Sequence, residues 1–168
     1  MKDILLIYLK MENFKEPKII EGGVFKDERG TLFFVNDFNF LNFNIKRFYI
    51  VENSLAKPIR GFHGHFKEEK YVLPVSGSAL VVLVKIEDSI QPSKTNNFYR
   101  FILSADKPSI LYIPGGYANG FKSLEAGTKL MFFSNFSLEE SKADDYRFPE
   151  NYWGAEIWEI KNDNKTNI

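Results

Sequence analysis

The segment Ile59–Gly77, IRGFHGHFKEEKYVLPVSG, is the most informative part of this chain. It consists of two short runs of apolar, β-branched and aromatic residues, which are typical of β-strands, and a polar stretch between them that predicts a turn. Successive side chains of a strand point to opposite faces, so Gly61, His63 and His65 are expected to share one face of a sheet. The chain has no other histidines. The segment therefore predicts a strand pair that carries every imidazole of the protein on one face.

The same pattern of strands and turns continues along the chain in both directions. Ten short strands, separated by turns that contain Gly and Pro, predict an all-β fold, a jelly-roll barrel or sandwich. One short helical segment is expected near the C-terminus, because Ser137 followed by Glu140 forms a capping box and Pro149 closes the region. The predicted strands are residues 18–25, 31–35, 45–51, 61–66, 71–75, 79–86, 98–103, 110–113, 119–124 and 129–133.

The length of 168 residues predicts a single domain. We divide it into an N-terminal extension (1–17), a jelly-roll core (18–135) and a C-terminal helical turn and tail (136–168). The 22 basic and 22 acidic residues balance, so neither nucleic acid nor a membrane surface is expected as a partner. The chain has no cysteine, which excludes disulfides and thiolate metal sites. Its apolar runs are far shorter than the ~18 residues of a membrane span, and no signal peptide is recognised, which predicts a cytoplasmic protein.

Two spaced motifs resemble the metal-binding motifs of cupins. His63, His65 and Glu69 resemble the first, and the sequence PGGYAN at 114–119 resembles the second, except that Asn119 stands in place of a third histidine. An amide oxygen is a poor ligand for Zn, Fe or Ni compared with imidazole. We therefore predict a jelly roll of the cupin type without a metal or another cofactor, and keep a metal-dependent cupin as an alternative.

A metal-free pocket with these side chains is suited to proton transfer at carbon. A neutral imidazole such as His63 can remove a proton next to a ketone, and an ammonium group such as Lys70 can stabilise the resulting enolate oxygen. The guanidinium groups of Arg29 and Arg60 match the oxygens of a diphosphate. Taken alone, the sequence DERG at 27–30 predicts only a turn.

In this order, the motifs resemble those of the dTDP-4-dehydrorhamnose 3,5-epimerase family, cupins that act on nucleotide-linked 4-keto-6-deoxy sugars. The resemblance covers residues 19–147 and implies a homodimeric jelly roll with exchanged strands and an active site inside the barrel. It assigns His63 as the catalytic base and Lys70 as the residue that faces the keto oxygen. The segments that carry the resemblance are residues 24–30, 59–63, 70–72 with Gly77, 103–105 and 112–121.

The resemblance also implies a set of substrate contacts. Arg29, Asn53 and Arg60 match family residues that contact the substrate, and Asn119 takes the place of a pocket histidine. The predicted partners are therefore a nucleotide sugar and a second copy of the chain. The full set of predicted substrate-binding residues is Arg29, Asn53, Arg60, His65, Tyr117 and Asn119.

The chain departs from the family at residues that matter for a double epimerisation. Phe132 matches the tyrosine that returns a proton from the face opposite the base, and a phenyl ring has no proton to give. Leu138 matches a second tyrosine, which stacks on the sugar ring. The aspartate that orients the base would have to be Asp144 or Asp145. Reprotonation is open between Tyr49, Tyr117, Tyr146 and water.

Two further functions stay open. The sugar 3,4-ketoisomerases share the motif Arg-Gly-x-His-x-His, which matches Arg60–His65, and their reaction needs one base on one face of the sugar. A non-catalytic cupin that binds sugars is the second alternative. The main prediction is a metal-independent epimerase that acts on a nucleoside-diphosphate 4-keto-6-deoxyhexose, with His63 as the base and Lys70 as the enolate stabiliser.

Overall fold

A computed structural model describes residues 16–37 and 43–160 of the chain. Most of the predicted N-terminal extension and the last part of the predicted tail lie outside these ranges. Within them the backbone is dominated by antiparallel strands, which confirms the all-β prediction. Among the described residues, no helix has the length and apolar character that crossing a membrane requires.

The described residues form twelve strands, a short α-helix and a 3₁₀ turn. The helix, α1, spans Leu138–Ala143, and the 3₁₀ turn spans Glu156–Trp158. The strands are β1 (Lys18–Glu21), β2 (Gly23–Asp27), β3 (Gly30–Phe34), β4 (Arg47–Glu52), β5 (Ile59–His65), β6 (Lys70–Ser76), β7 (Ser78–Lys85), β8 (Phe98–Ser104), β9 (Ser109–Ile113), β10 (Tyr117–Ser123), β11 (Lys129–Ser134) and β12 (Tyr146–Arg147).

Ten of these strands form two five-stranded sheets. The strand order is β1-β9-β6-β11-β4 in the first sheet and β12-β5-β10-β7-β8 in the second, and β2 and β3 form a separate hairpin. Inner-face side chains of both sheets build the main core, which includes Val72, Leu111 and Leu130 from the first sheet and Leu83 and Leu103 from the second. The facing sheets correspond to the predicted jelly roll.

The C-terminal segment covers the outer face of the second sheet. Trp153 and Trp158 lie against Phe62 of β5, with ring centroids 4.9 and 5.0 Å apart, respectively. Because of this cover, the central strand β7 is buried on both faces, from Ala79 to Val84. The segment thus acts as a third layer of the fold behind the strand that carries the histidines.

Nine of the ten predicted strands have ends within two residues of the observed ones, the tenth is divided, and one observed strand was not predicted. The predicted strand 18–25 is divided at Gly22, whose amide donates to the Pro108 carbonyl at 2.8 Å, so β1 pairs with β9 while β2 turns away to pair with β3. The predicted strand 119–124 starts two residues earlier, at Tyr117. The two-residue strand β12 was not predicted, because so short a segment has no periodicity.

The predicted capping box is confirmed at the start of α1. The Ser137 hydroxyl accepts from the Glu140 amide at 3.2 Å, and the Glu140 carboxylate accepts from the Ser137 amide at 2.7 Å. The helix is short, yet its one buried residue, Ser141, reaches the interior of the protein. The 3₁₀ turn further on was not predicted.

Candidate active site

A cavity of about 340 Å³ lies between the two sheets, with residues of both sheets and of the C-terminal segment in its walls. The second sheet forms the wall that carries both histidines, here called the histidine wall. The first sheet forms the opposite wall, here called the lysine wall. The histidine wall contributes Arg60, His63, His65 and Asn119, the lysine wall contributes Arg47, Tyr49, Lys70 and Phe132, and the segment from α1 to β12 contributes Ser141, Lys142, Asp145 and Arg147.

His63 is held in a geometry suited to a general base. Its Nδ1 lies 3.3 Å from Asp145 Oδ1, while Asp145 Oδ2 accepts from Arg147 Nε at 2.9 Å. Burial lowers the pKa of His63, even though the charge of Asp145 opposes this, so the ring is neutral at pH 7. With Nδ1–H directed at the carboxylate, Nε2 keeps its lone pair for a substrate proton. Of the two aspartates considered from the sequence, Asp145 is the one that contacts the base.

Asp144 has a structural role instead. Its carboxylate accepts from the backbone amides of Phe66, Lys67 and Glu68 at 2.8 to 3.0 Å, which fixes the turn between β5 and β6. Its carbonyl oxygen lies 2.7 Å from His65 Nδ1. Asp144 therefore sets the relative position of the two strands that carry the predicted base and the predicted enolate stabiliser.

Lys70 enters the cavity from the lysine wall, across from His63. Its side chain is 5% exposed, and its Nζ lies 3.8 Å from Glu68 Oε2. Burial lowers the pKa of Lys70 to about 8, against the opposing effect of the negative charge of Glu68. At neutral pH the side chain is therefore an ammonium group with few competing contacts, which is what an emerging enolate oxygen requires.

Glu68 is the main residue that the sequence analysis missed. The side chain is fully buried and accepts from Arg47 at 2.9 Å, Ser134 at 2.6 Å and Ser141 at 2.7 Å. Burial by itself raises the pKa of Glu68, but the charge of Lys70 and these hydrogen bonds outweigh it, and the net shift is downward. Glu68 is thus an ionised carboxylate in the interior. Its position in a polar turn gave no signal, because its partners are distant in sequence.

His65 lies beside this carboxylate on the histidine wall. Its Nδ1 is 2.7 Å from the Asp144 carbonyl oxygen and 3.0 Å from Glu68 Oε2. Burial and the nearby Lys70 lower the pKa of His65 to about 4. The ring is therefore neutral at pH 7, and His65 lines the cavity.

Arg60 lines the cavity at a point where β5 has an extra residue relative to its partner strand β10. Asn119 pairs with His63 and Phe121 pairs with Arg60, so β5 has one more residue than β10 over this stretch. The prediction that Gly61 shares the His63 face is wrong for this reason. A side chain at Gly61 would meet the Gly120 backbone at 2.8 Å, so the glycine allows the close approach of the two strands.

Asn53 contacts Arg60 and does not line the cavity. Its Oδ1 accepts from Arg60 Nε at 3.1 Å, and its Nδ2 donates to the Pro58 carbonyl at 2.8 Å. Asn53 therefore orients the guanidinium of Arg60, which does line the cavity.

The remaining predicted residues fall in different places. Asn119 lines the cavity and donates from Nδ2 to the His63 carbonyl at 2.8 Å. Tyr117 lies outside the cavity lining, and its hydroxyl donates to Glu16 at 3.0 Å. Arg29 lies on the β2–β3 hairpin, where it is 82% exposed and paired with Asp27. The structure thus does not bring Tyr117 and Arg29 to the cavity of their own chain.

The cavity is lined by His63 and His65, whose rings are possible metal ligands. Across residues 16–37 and 43–160, no group of three His, Asp or Glu side chains is arranged to hold a metal ion. The Asn119 side chain donates from its amide nitrogen to the His63 carbonyl of β5, and its amide oxygen is a poor ligand for a transition metal compared with imidazole.

The family model described as dTDP-4-dehydrorhamnose 3,5-epimerase matches residues 12–151 of the chain. The spore coat polysaccharide biosynthesis protein SpsL of Bacillus subtilis is 32% identical over 93 residues, which are 54% of this chain and 60% of that protein. A TDP-4-oxo-6-deoxy-alpha-D-glucose-3,4-oxoisomerase of Aneurinibacillus thermoaerophilus is 34% identical over 68 residues, 40% of this chain and 49% of the isomerase. The chain therefore matches no more than 60% of the length of these two relatives.

The fold is similar to that of the dTDP-6-deoxy-D-glucose-3,5-epimerase of Legionella pneumophila, whose structure was solved with dTDP-4-keto-L-rhamnose. The TM-score is 0.68 at 20% identity, and the match covers 89% of this chain and 82% of the epimerase. At this identity the likeness concerns the fold, which confirms the predicted cupin-type jelly roll. Because the family model spans most of the sequence, the chain belongs to the dTDP-4-dehydrorhamnose 3,5-epimerase family.

Proposed function

We propose that this protein is an isomerase that acts on a dTDP-linked 4-keto-6-deoxyhexose by removing a proton next to the ketone. The observation that carries the proposal is the placement of His63, paired with Asp145, in the same cavity as the buried ammonium of Lys70. The name of the Bacillus subtilis relative supports a place in polysaccharide biosynthesis.

The proposed reaction begins with the keto oxygen of the sugar directed at Lys70. His63 Nε2 takes the proton from the neighbouring carbon, the electrons of the C–H bond move to the carbonyl oxygen, and Lys70 stabilises the enolate. The imidazolium that forms is stabilised by Asp145, whose pKa is held below its usual value by Arg147 and His63 despite its burial. No metal or cofactor is needed for this step.

The nucleotide is proposed to bind at the cationic rim of the cavity. Arg60, Lys142 and Arg147 line the cavity, as does the half-buried His63. The positive charges of the two arginines and the lysine match a diphosphate. Asn53 holds the guanidinium of Arg60 in place. These contacts position the sugar between the two walls without taking part in proton transfer.

The experiment is to incubate the protein with dTDP-4-keto-6-deoxyglucose in deuterated water and to follow the proton NMR spectrum. Deuterium at C3 or C5 with inverted configuration is expected from the wild-type protein. The matched variant His63→Asn keeps a polar side chain on β5 and is expected to lower exchange by about 10²-fold to 10⁴-fold, the usual contribution of a general base. Exchange that persists in His63→Asn would rule out His63 as the base.

A second candidate, 3,4-ketoisomerisation, is favoured by one observation. Phe132 lies in the cavity wall where a tyrosine would return a proton to the opposite face, and a single base suffices to move a proton between C3 and C4. The relative from Aneurinibacillus thermoaerophilus is named as such an isomerase. In the same NMR experiment a 3-keto product would identify this reaction in place of epimerisation.

Two other outcomes would contradict a metal-independent isomerase. A substrate that binds but remains unchanged and unlabelled would support a sugar-binding cupin without activity. A stoichiometric transition metal in the purified protein, together with loss of activity on its removal, would support a metal cupin and contradict the interpretation of Asn119.

We also propose that the chain forms a homodimer. The β2–β3 hairpin leaves Val24, Phe25, Leu32 and Phe33 about half exposed, and large exposed apolar patches mark interaction surfaces. Arg29 lies in this hairpin and away from the cavity of its own chain, so its predicted contact with substrate requires the cavity of a second copy. Light scattering of the purified protein tests this proposal, and a monomer at micromolar concentration would contradict it.

A further inference from the structure

Glu68 is a buried carboxylate for which the proposed reaction has so far no role. It lies in the turn between β5 and β6, its side chain is fully buried, and it is not among the residues that line the cavity. A charge in the interior is costly unless nearby groups compensate it. Because Glu68 does not line the cavity, any effect that it has on the reaction passes through a neighbouring side chain.

The hydrogen bonds to Glu68 come from three other parts of the fold. Its Oε1 accepts from Arg47 Nη2 of β4 at 2.9 Å and from the Ser134 hydroxyl of β11 at 2.6 Å. Its Oε2 accepts from the Ser141 hydroxyl of α1 at 2.7 Å and lies 3.0 Å from His65 Nδ1. These donors hold the carboxylate in one orientation and engage both of its oxygens.

Lys70 is close to this carboxylate without being hydrogen-bonded to it. Its Nζ lies 3.8 Å from Oε2 of Glu68, which is too long for a hydrogen bond but close for two opposite charges. The attraction therefore acts on the ammonium group while its N–H donors stay available for an oxygen in the cavity. In a tighter ion pair the carboxylate would accept from those donors itself.

Burial works against the charge of Lys70, and the groups around the ammonium oppose or support it. Burial lowers the pKa of Lys70, and the charge of Glu68 is the largest of the opposing effects. Arg47 acts in the same direction as burial, but its guanidinium is bound to Glu68 and Ser141. The other titratable groups of the described residues that interact with Lys70 are two carboxylates that favour its charge, Asp144 and Asp145, and two imidazoles that are neutral at pH 7, His63 and His65.

We propose that Glu68 is a positioning residue that keeps Lys70 charged and in place for the enolate oxygen. The proposal rests on the proposed function, in which Lys70 is the enolate stabiliser. Glu68 acts through its charge, since both of its oxygens are already engaged by donors other than Lys70. It neither contacts the substrate nor transfers a proton.

The test is Glu68→Gln, with kcat/KM measured across the basic limb of the pH profile. Loss of the carboxylate lowers the pKa of Lys70, so the limb should move by about one pH unit or more toward lower pH, the usual effect of one nearby opposite charge. Ser134→Ala is the control, because it removes a hydrogen bond to Glu68 but leaves the charge, and its limb should stay at the wild-type position. A limb at the wild-type position in Glu68→Gln would overturn the proposal.

The double variant Arg47→Gln/Glu68→Gln covers the case in which Glu68→Gln does not fold. Removal of Glu68 alone leaves the partly buried guanidinium without its partner, whereas removal of both leaves no unpaired charge. The basic limb of the double variant should still lie below that of the wild type, because Glu68 has a larger effect on Lys70 than Arg47 has. A limb at or above the wild-type position would overturn the proposal.

The variant Lys70→Arg provides a background that separates charge from structure. A guanidinium stays protonated over this pH range, so its charge does not depend on Glu68. On the basic limb of the wild type, Glu68→Gln should lower kcat/KM about tenfold for each pH unit of the shift, and in the Lys70→Arg background this loss should be absent. An equal loss in both backgrounds would show a structural role of Glu68 and overturn the proposal.

NMR titration of the Lys70 side chain separates this proposal from the proposed function. The Nζ resonance of isotope-labelled lysine is assigned by its absence in Lys70→Met and is titrated without substrate. We expect a lower midpoint in Glu68→Gln than in the wild type. A lower midpoint in a protein without isomerase activity would overturn the proposed function but support the effect of Glu68 on Lys70. An unchanged midpoint in an active isomerase would overturn the role of Glu68 alone.

Discussion

The two walls of the cavity differ in how their functional groups are held. On the histidine wall, His63 is oriented by one contact, the partly exposed Asp145, and its neighbour His65 is held by the backbone of Asp144. On the lysine wall, Lys70 lies next to the buried carboxylate of Glu68, which several further donors hold in place. His63, the proposed base, thus has a single side-chain partner, whereas Lys70, the proposed charge-stabilising group, lies next to a buried network. This suits a base that must move a proton and an ammonium that must stay charged.

Replacement of Lys70 should have a larger effect than replacement of Asp145, the partner of His63. In Lys70→Met the enolate oxygen loses its charged partner, so kcat/KM should fall by about 10²-fold to 10³-fold, as when one oxyanion donor is removed. Steady-state kinetics on the dTDP-linked 4-keto sugar measures this. Lys67→Met, which changes an exposed lysine three residues away, is the matched control. Equal rates in the two variants would remove Lys70 from the mechanism.

Replacement of Asp145, the partner of His63, should have a smaller effect on activity than replacement of Lys70. In Asp145→Asn the imidazolium loses a partner that is only partly buried, so kcat should fall by about 10-fold to 100-fold, less than the full contribution of a general base. The variant also removes a charge that raises the pKa of His63, so the acid limb of the rate profile should move to lower pH. Asp106→Asn serves as a control outside the cavity. An acid limb that moves upward would contradict the pairing.

The pH profile of kcat/KM should have an acid limb set by His63 on the histidine wall and a basic limb set by Lys70 on the lysine wall. His63 must be neutral, and burial places its pKa below 6.5, so activity should fall only below that pH. Lys70 must be protonated, so activity should fall about tenfold per pH unit above its pKa of about 8. Lys70→Arg should remove the basic limb, because a guanidinium stays protonated over this range. A basic limb that survives in this variant would have to come from another group.

The strands, including the one that carries both histidines, and the capping box were predicted correctly, because each depends on residues close together in the chain. The alternation of β5 correctly placed His63 and His65 on one face. The same alternation failed at Gly61, because β5 has one more residue than β10 there, and the pattern of side chains along one strand does not reveal an extra residue. The choice between Asp144 and Asp145 was also open, since both are adjacent and only one contacts the ring.

The residues around Lys70 show most clearly what could not be predicted from the sequence. Glu68 bonds to Ser134 and Ser141, which are 66 and 73 residues away in sequence, and no local pattern distinguishes this glutamate from a solvated one in a turn. The lack of a hydroxyl on Phe132 is plain in the sequence, but the stacking of its ring on Tyr49 depends on the pairing of β4 with β11.

Short-range order was therefore sufficient for the strands and the all-β class, because alternation, capping and turn chemistry act over a few residues. The opposition of His63 and Lys70 across a cavity, the entry of Arg60 through an extra residue in β5 and the position of Tyr49 depend on how the two sheets pair and face each other. Those arrangements bring together residues from distant strands through long-range hydrogen bonding and core packing, which no window of the chain contains.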